Sequence, residues 1–561
     1  MTDTLEAGGA PQQAPVLQVT SIENAFSEET LQQLQPVIPR MLRARPWFLS
    51  KRRNITGFSL HKVLSFPNTS AHLLFLNVEY GEGDPEVYLV AVSVAIGEKA
   101  DAILHDPRGA VVARLSGLPG HEKAVLYPST LDRDFSDALL RAIVRRRRIR
   151  GEAGELVGSH TRGFRRAWTS KSNLEPSPQQ TDDFFTLIHY GSDFVLKLYR
   201  KLEEGINPGC EVPEFLCEQT RFSAIPRALG SLVYRTCRGE ATVDTCVGTL
   251  NSFVPNAIGG WRYTLDQLGL FFEHALAIHP QEPRLRDLTA PALWPQNDTV
   301  PQIVAELLGS YLDSIRLLAG RTAELHTALS SRPEIPDFAP EPFTTFYRQS
   351  VYHGMLAQLN RSFEMLRSRL RGLPAAAQGD IMNVLNREAE VRAQLLALRE
   401  KRMSGSRIRQ HGDYHLSNVL FAGNNWLITN FEGDPTRPLS ERRIKRSALR
   451  DVATMLRSFH YVSHAALFGH VPGIVPSGEA DARLERWARA WYRWVSAIFL
   501  KEYLKPTAAA PYLPEQADEI RILLAAYMID RGLIEVEFEL EHRPEWIRIP
   551  VHGILEQLDR A

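Results

Sequence analysis

Cysteine is scarce: four in 561 residues, at positions 210, 217, 237 and 246. That number excludes a disulfide framework, and the absence of a CxxC pair excludes the usual zinc-finger spacing. Semi-buried thiols in a reducing compartment are expected. Charge of one sign is absent as well, with 65 basic and 65 acidic residues giving a formal net charge of zero. A balanced chain offers nucleic acid or an anionic membrane no electrostatic handle, so neither is expected as a partner. No apolar run approaches the roughly 18 residues a membrane span needs. The opening MTDTLEAGGAPQQAPV lacks a basic start and an apolar core. It reads as a disordered leader over 1–15, not a secretory signal, and the cytoplasm is the expected location. There is no internal repeat.

What is present fits a multidomain globular protein, since 561 residues exceed one compact core. From 16 to 165 short strands and helices mix. AHLLFLNVEY and EVYLVAVSVAI flank GEGDP as a hairpin, and SDALLRAIVRRRRIRGE reads as a helix ending in a cationic run that suits its dipole. A polar stretch, SKSNLEPSPQQTDD, precedes a β-rich segment over 166–258. There FFTLIHYGSDFVLKLYRKL suggests two antiparallel strands, EVPEFLCEQT a helix, and ALGSLVYRT and TVDTCVGTLNSFV further strands. Beyond 259 the apolar period turns helical, including one long helix over GDIMNVLNREAEVRAQLLALREKRM. The order is an N-terminal cap (16–165), a β-rich lobe (166–258) and a helical lobe (259–561).

Residues 411–418, HGDYHLSN, have the spacing of the kinase element H-R-D-x-x-x-x-N, and a strand-like WLIT leads on to Asn430-Phe431-Glu432-Gly433. Phosphoryl transfer needs a carboxylate beside the attacking hydroxyl, oxygen ligands for magnesium and a cation on the retained phosphates. Asp413 supplies the base, with Asn418 and Asn430 or Glu432 as metal ligands. Lys197, alone in the apolar strand FVLKLY, suits the phosphates; Glu211 is its expected ion-pair partner, ahead of Glu214 or Glu218. The fold class is therefore α+β, bilobal and protein-kinase-like, with ATP and Mg2+ as cofactors.

At these residues the chain resembles the bacterial maltokinases, including the maltokinase domain fused to trehalose synthase. The resemblance covers RPWFLSKR near the start, LKLYRKLEEGINPGCEVPEFL, LNSFVPNAIGGWRYTLDQL, the block HGDYHLSNVL through RPLSERRIKRSALRDVATMLRSFHY, and EVEFELEHRPEWIRIPVHGILEQL. It implies ATP-dependent phosphorylation of maltose to maltose 1-phosphate, feeding α-glucan synthesis from trehalose. It also implies adenine contacts at Phe253 and Val254, and acceptor contacts from His411, Tyr414, His415, Lys445, Asp451 and Tyr461. The sequence departs from the family where Asn430 replaces an aspartate, where Ser417-Asn418 replaces Gly-Gln, at the turn 179–183, which reads QQTDD, and at Asn256-Ala257-Ile258-Gly259. An amide at 430 gives the metal a dipole instead of a full charge. Two alternatives follow: a pseudokinase that binds sugar or partners trehalose synthase or another glucan enzyme, and a kinase for another small sugar or an aminoglycoside-like substrate.

Overall fold

The computed structural model describes residues 14–559 apart from 37, 44, 46, 52, 106–110, 169–173, 180–183, 280–299, 472 and 475–481. Most of the expected leader and of the turn at 179–183 thus lies outside the described residues. The chain divides into two units. The first comprises 1–214, 227–254 and 435–439; the second comprises 215–226, 255–434 and 440–561.

The first unit contains two sheets. In one, strands Ile55–Ser65, Ala71–Tyr80 and Glu86–Ile96 form a meander, and the expected hairpin pairs Ala71 with Ser93 through Val78 with Glu86. Its far edge carries Val16–Gln18, parallel to Ala113–Ser116. The second sheet runs Arg148–Gly151, Gly154–His160, Ala228–Arg238, Ala241–Ser252, Phe194–Tyr199, Phe185–Tyr190, Pro176–Gln179. Helix Arg133–Val144 packs Leu139, Leu140 and Ile143 into a core shared with Leu156, Leu196, Leu198 and Leu232.

Three local expectations change. The arginine run does not extend the helix: it stops at Val144, Arg146 turns the chain at φ 48°, and Arg148 opens a strand paired to Glu155. The polar separator includes a strand, Pro176–Gln179, at the sheet edge, where a proline costs no ladder hydrogen bond. Cys210 and Cys246 are brought together as a sulfur pair, because helix Pro208–Gln219 carries one to strand Ala241–Ser252, which carries the other. Cys217 and Cys237 take no part in a disulfide.

The second unit is helical, apart from short strand pairs. Val419–Ala422 and Asn425–Ile428 form a tight hairpin, with Ile258–Gly259 alongside. Around it stand the long helices Tyr311–Leu329, Thr345–Arg369, Leu449–Leu467, Ala482–Thr507, Ala517–His542 and Arg548–Leu558. Helix Leu449–Leu467 is buried over nearly its whole length, including polar residues, so it forms the axis of this unit. The long helix expected over 379–403 is two, Ala375–Asn386 and Glu388–Glu400, broken at Arg387, which leaves helical geometry at φ −98°, ψ 19°. No described helix is long and apolar enough to cross a membrane.

Candidate active site

The turn 411–418 is held from beneath by one carboxylate. Asp451, in the first turn of helix Leu449–Leu467, accepts the backbone N–H of His411 at 2.8 Å and that of Gly412 at 3.0 Å. Its Oδ2 also lies 3.3 Å from His326 Nε2, whose Nδ1 is 2.9 Å from the Tyr503 hydroxyl. Burial works against the Asp451 charge, but His326, His411 and the Gly412 N–H outweigh it and hold the carboxyl below its ordinary range. Gly412 sits at φ 87°, a conformation that favours glycine.

His411 is fully buried and fixes the next link. Its Nε2 donates to the Thr429 carbonyl at 2.7 Å, leaving Nδ1 to accept the Asp413 N–H at 3.3 Å. Burial, chiefly, keeps this imidazole neutral by lowering its pKa. Tyr414 turns inward, its hydroxyl 2.8 Å from Thr322 Oγ1. The Leu416 N–H donates to Ser458 Oγ at 3.0 Å, tying the turn again to the axial helix.

The Asp413 carboxylate emerges from this frame with its side chain 16% exposed. His415 Nε2 is 3.2 Å from one oxygen and Arg531 Nη1 is 3.2 Å from the other. Burial favours the neutral acid, yet His415 and Arg531 together hold the group ionised, well below the usual carboxylate range. Arg531 Nε lies 3.4 Å from Glu535 Oε1, and Arg457 Nη2 meets Glu535 Oε2 at 2.6 Å. One turn on, Glu539 accepts from the Tyr461 hydroxyl and pairs with Arg543 at 2.8 Å. Burial raises the Glu539 pKa against the pull of Arg543, and it pushes the Tyr461 phenol up. Tyr461 stacks on Trp546, with ring centroids 6.0 Å apart.

The metal-loop residues also converge. Asn418 Nδ2 donates to the Asp413 carbonyl at 2.8 Å, and Asn418 Oδ1 accepts from Asn430 Nδ2 at 2.9 Å. Asn430 is in the left-handed region at φ 61°, which asparagine tolerates. Full carboxylates are present two and four residues on. Glu432 is half-buried, and Asp434 is buried and close enough to Arg531 to act on its charge. A magnesium ion needs only one or two protein carboxylates beside phosphate and water oxygens. Asn418, Glu432 and Asp434 offer the oxygen types such an ion takes, with Asn430 contributing only an amide.

The remaining candidates are placed as follows. Lys445 is buried, its Nζ on the Pro336 carbonyl at 2.7 Å and on Glu341 at 2.8 Å. In the first unit Lys197 stands mid-strand, opposite Leu187 and Thr249, and alternation turns it away from the core residues Leu196 and Leu198. Its ammonium lies 4.2 Å from the Phe185 ring centroid. Glu211 is in the first turn of helix Pro208–Gln219. The Phe253 N–H donates to the Asp193 carbonyl at 2.8 Å, and Val254 is half-buried beside it.

Arg531, Glu535, Glu539, Asp434 and Arg457 were not singled out from the sequence. The first three stand four residues apart on helix Ala517–His542, a spacing that aligns them on one face and is legible in RGLIEVEFE.

No protein-family model matches the chain. It is similar to a glucosamine kinase of Streptacidiphilus jiangxiensis, 23% identical over 362 residues, covering 64% of this chain and 68% of the relative. A glucosamine kinase of Mycolicibacterium smegmatis is 24% identical over 397 residues, covering 70% of this chain and 82% of that one. Among solved structures, a glucosamine kinase in its crystal form B superposes with a TM-score of 0.55 at 17% identity, over 91% of this chain and 96% of that one. A glucosamine kinase in complex with glucosamine, ADP and inorganic phosphate gives 0.55 at 18% identity, over 89% and 94%. The chain has the fold of these sugar kinases. That fold is the expected bilobal α+β, kinase-like class. The relatives are named for glucosamine, not for maltose or trehalose.

Proposed function

We propose that the chain is an ATP-dependent sugar kinase, and that its acceptor is an amino sugar of the glucosamine class. The observation that carries the kinase reading is Asp413, held ionised by His415 and Arg531 at the end of a turn pinned twice by Asp451. In this reading the sugar hydroxyl oxygen forms the new bond to the γ-phosphorus of ATP. The bond to the β-phosphate oxygen breaks, ADP leaves, and the hydroxyl proton passes to the Asp413 carboxylate. Lys197, oriented by Glu211, holds the retained phosphates, and Phe253 and Val254 present backbone to adenine. Magnesium, when bound, neutralises charge on the phosphates; Asn418, Glu432 and Asp434 would hold it, with Asn430 contributing a dipole.

We read Asp451 and Lys445 as positioning residues instead of the sugar contacts that the maltokinase resemblance implies. The Asp451 oxygens serve His411, Gly412 and His326, and the Lys445 ammonium serves Glu341 and Pro336. Tyr461, with Trp546 stacked beside it, is the better candidate for an apolar sugar face. His415 would touch the acceptor, while His411 and Tyr414 act through the turn.

The choice of glucosamine rests on the two relatives that carry its name. Maltose is the second reading, supported by the resemblance over 411–461 and 535–558. Product analysis after incubation with ATP, Mg2+ and glucosamine, maltose, glucose, trehalose or an aminoglycoside separates them. Preferential formation of glucosamine phosphate is expected. Maltose 1-phosphate as the dominant product would replace the first reading with the second. Absence of any product, together with no MgATP binding, would favour a pseudokinase.

A further inference from the structure

Helix Leu449–Leu467 carries two distinct clusters. Asp451 in its first turn serves the catalytic turn, whereas His460 and His464 lie in its last two turns. They are four residues apart and share one face. Their rings stack with centroids 3.9 Å apart and an interplanar angle of 20°. Glu556, on helix Arg548–Leu558, reaches the same point. One ligand atom from each of the three residues lies within 4.8 Å of the others, and all three side chains are buried.

The tautomer of His464 is fixed by the backbone. Its Nδ1 lies 3.0 Å from the His460 carbonyl oxygen and 3.1 Å from Ser463 Oγ. A carbonyl accepts only, so Nδ1 carries the hydrogen and Nε2 keeps its lone pair. Metal-binding histidines are oriented in this way, with the non-ligating N–H spent on a carbonyl.

We propose that His460, His464 and Glu556 form a binding site for a divalent metal of the zinc class, bracing the terminal helix Arg548–Leu558 against the axial helix. Two imidazoles and a carboxylate are a ligand set that zinc accepts, and the i, i+4 histidines supply two corners from one element. Bonds near 2.0–2.1 Å imply ligand separations of about 3.3 Å, so the widest gap closes by about 1.5 Å on binding. Glu556 is the partner that must shift. Its present cation, Arg489, is 3.4 Å away and also 3.2 Å from Glu485, to which it can transfer. The site is structural. It secures the far end of the helix whose near end holds Asp451 and the turn 411–418, and it does not depend on which sugar is phosphorylated.

The test uses the full chain produced with zinc in the medium, freed of loose metal by gel filtration and analysed by mass spectrometry for metal content. About one zinc per chain is expected, and a strong chelator should lower the unfolding temperature, with added Zn2+ restoring it. The His460→Gln, His464→Gln double variant should bind Zn2+ at least about 100-fold more weakly, while His470→Gln, outside the cluster, should bind like the parent. If the double variant does not fold, the chelation and restoration of the unmodified chain decide the matter. A chain that holds no zinc and ignores the chelator would overturn the proposal, as would a folded double variant that retains zinc.

Discussion

Asn430 Nδ2 donates to Asn418 Oδ1 at 2.9 Å, so one of the two amides of the metal loop is tied to the other. The oxygen of Asn418 that a magnesium ion would use is thereby already occupied by a hydrogen-bond donor. A second lone pair on that oxygen is left for a metal, which then finds a dipole at 430 where a carboxylate would give a full charge.

Asn430→Asp should therefore strengthen the site. A gain of about 3–4 kcal/mol in transition-state stabilisation corresponds to roughly two to three orders of magnitude in kcat. Steady-state rates at saturating ATP, with magnesium titrated, check this. The variant should reach half-maximal rate at lower magnesium. A fall in rate would mean that Asp434 or Glu432 already carries the metal alone.

Arg531 links the base to the acidic face of its helix. Arg531→Met leaves the Asp413 and Glu535 carboxylates facing each other's field without the cation between them. The rate should fall by roughly 10²-fold or more, with MgATP affinity changing little. Separate measurement of kcat and of nucleotide binding distinguishes this from a general loss of folding.

The pH dependence has a definite sign. The folded pKa of Asp451 lies below its unfolded value of about 3.9, so its stabilisation is fully present above about pH 5 and is lost as pH falls through the folded pKa. Asp451→Asn removes a charged acceptor from two N–H groups and should cost about 1.5–3 kcal/mol at pH 7. Urea unfolding followed from pH 7 to pH 3 should show the gap between parent and variant narrowing towards acid. Asp413 is likewise held ionised, so no acid limb of the rate between about pH 5 and pH 7 should come from it.

Gly260 marks a close approach that supports the catalytic turn. A Cβ there would lie 2.5 Å from Val419 Cγ2 and 2.7 Å from the Leu416 carbonyl oxygen. Backbone cannot yield as a flexible side chain can. Gly260→Ala should cost about 1–3 kcal/mol and displace the Leu416–Asn418 turn, lowering both unfolding temperature and rate.

Local chemistry was legible in the sequence; placement was less so. The spacing from His411 to Asn418 and the lone lysine in FVLKLY are fixed by short-range pattern, and the strands and turn that they imply are present. The break at Arg387 was hidden because helical periodicity runs through it, with Ile381, Val384 and Val391 all buried. The Cys210–Cys246 pair joins a helix to a strand 36 residues away, which no spacing rule reveals. Arg531 reaches Asp413 across 118 residues, so its role depends on tertiary packing. The committed oxygens of Asp451 belong to the same kind of information.

The central claim is that this chain transfers phosphate from ATP to a sugar through Asp413. Its most direct test is sugar-phosphate formation from labelled ATP and glucosamine, measured for the chain and for Asp413→Asn at saturating magnesium. The account predicts product from the chain and a loss of about 10²–10⁴-fold in the variant, with ATP still bound. No product with any sugar from the chain, or an undiminished rate in Asp413→Asn, would contradict it.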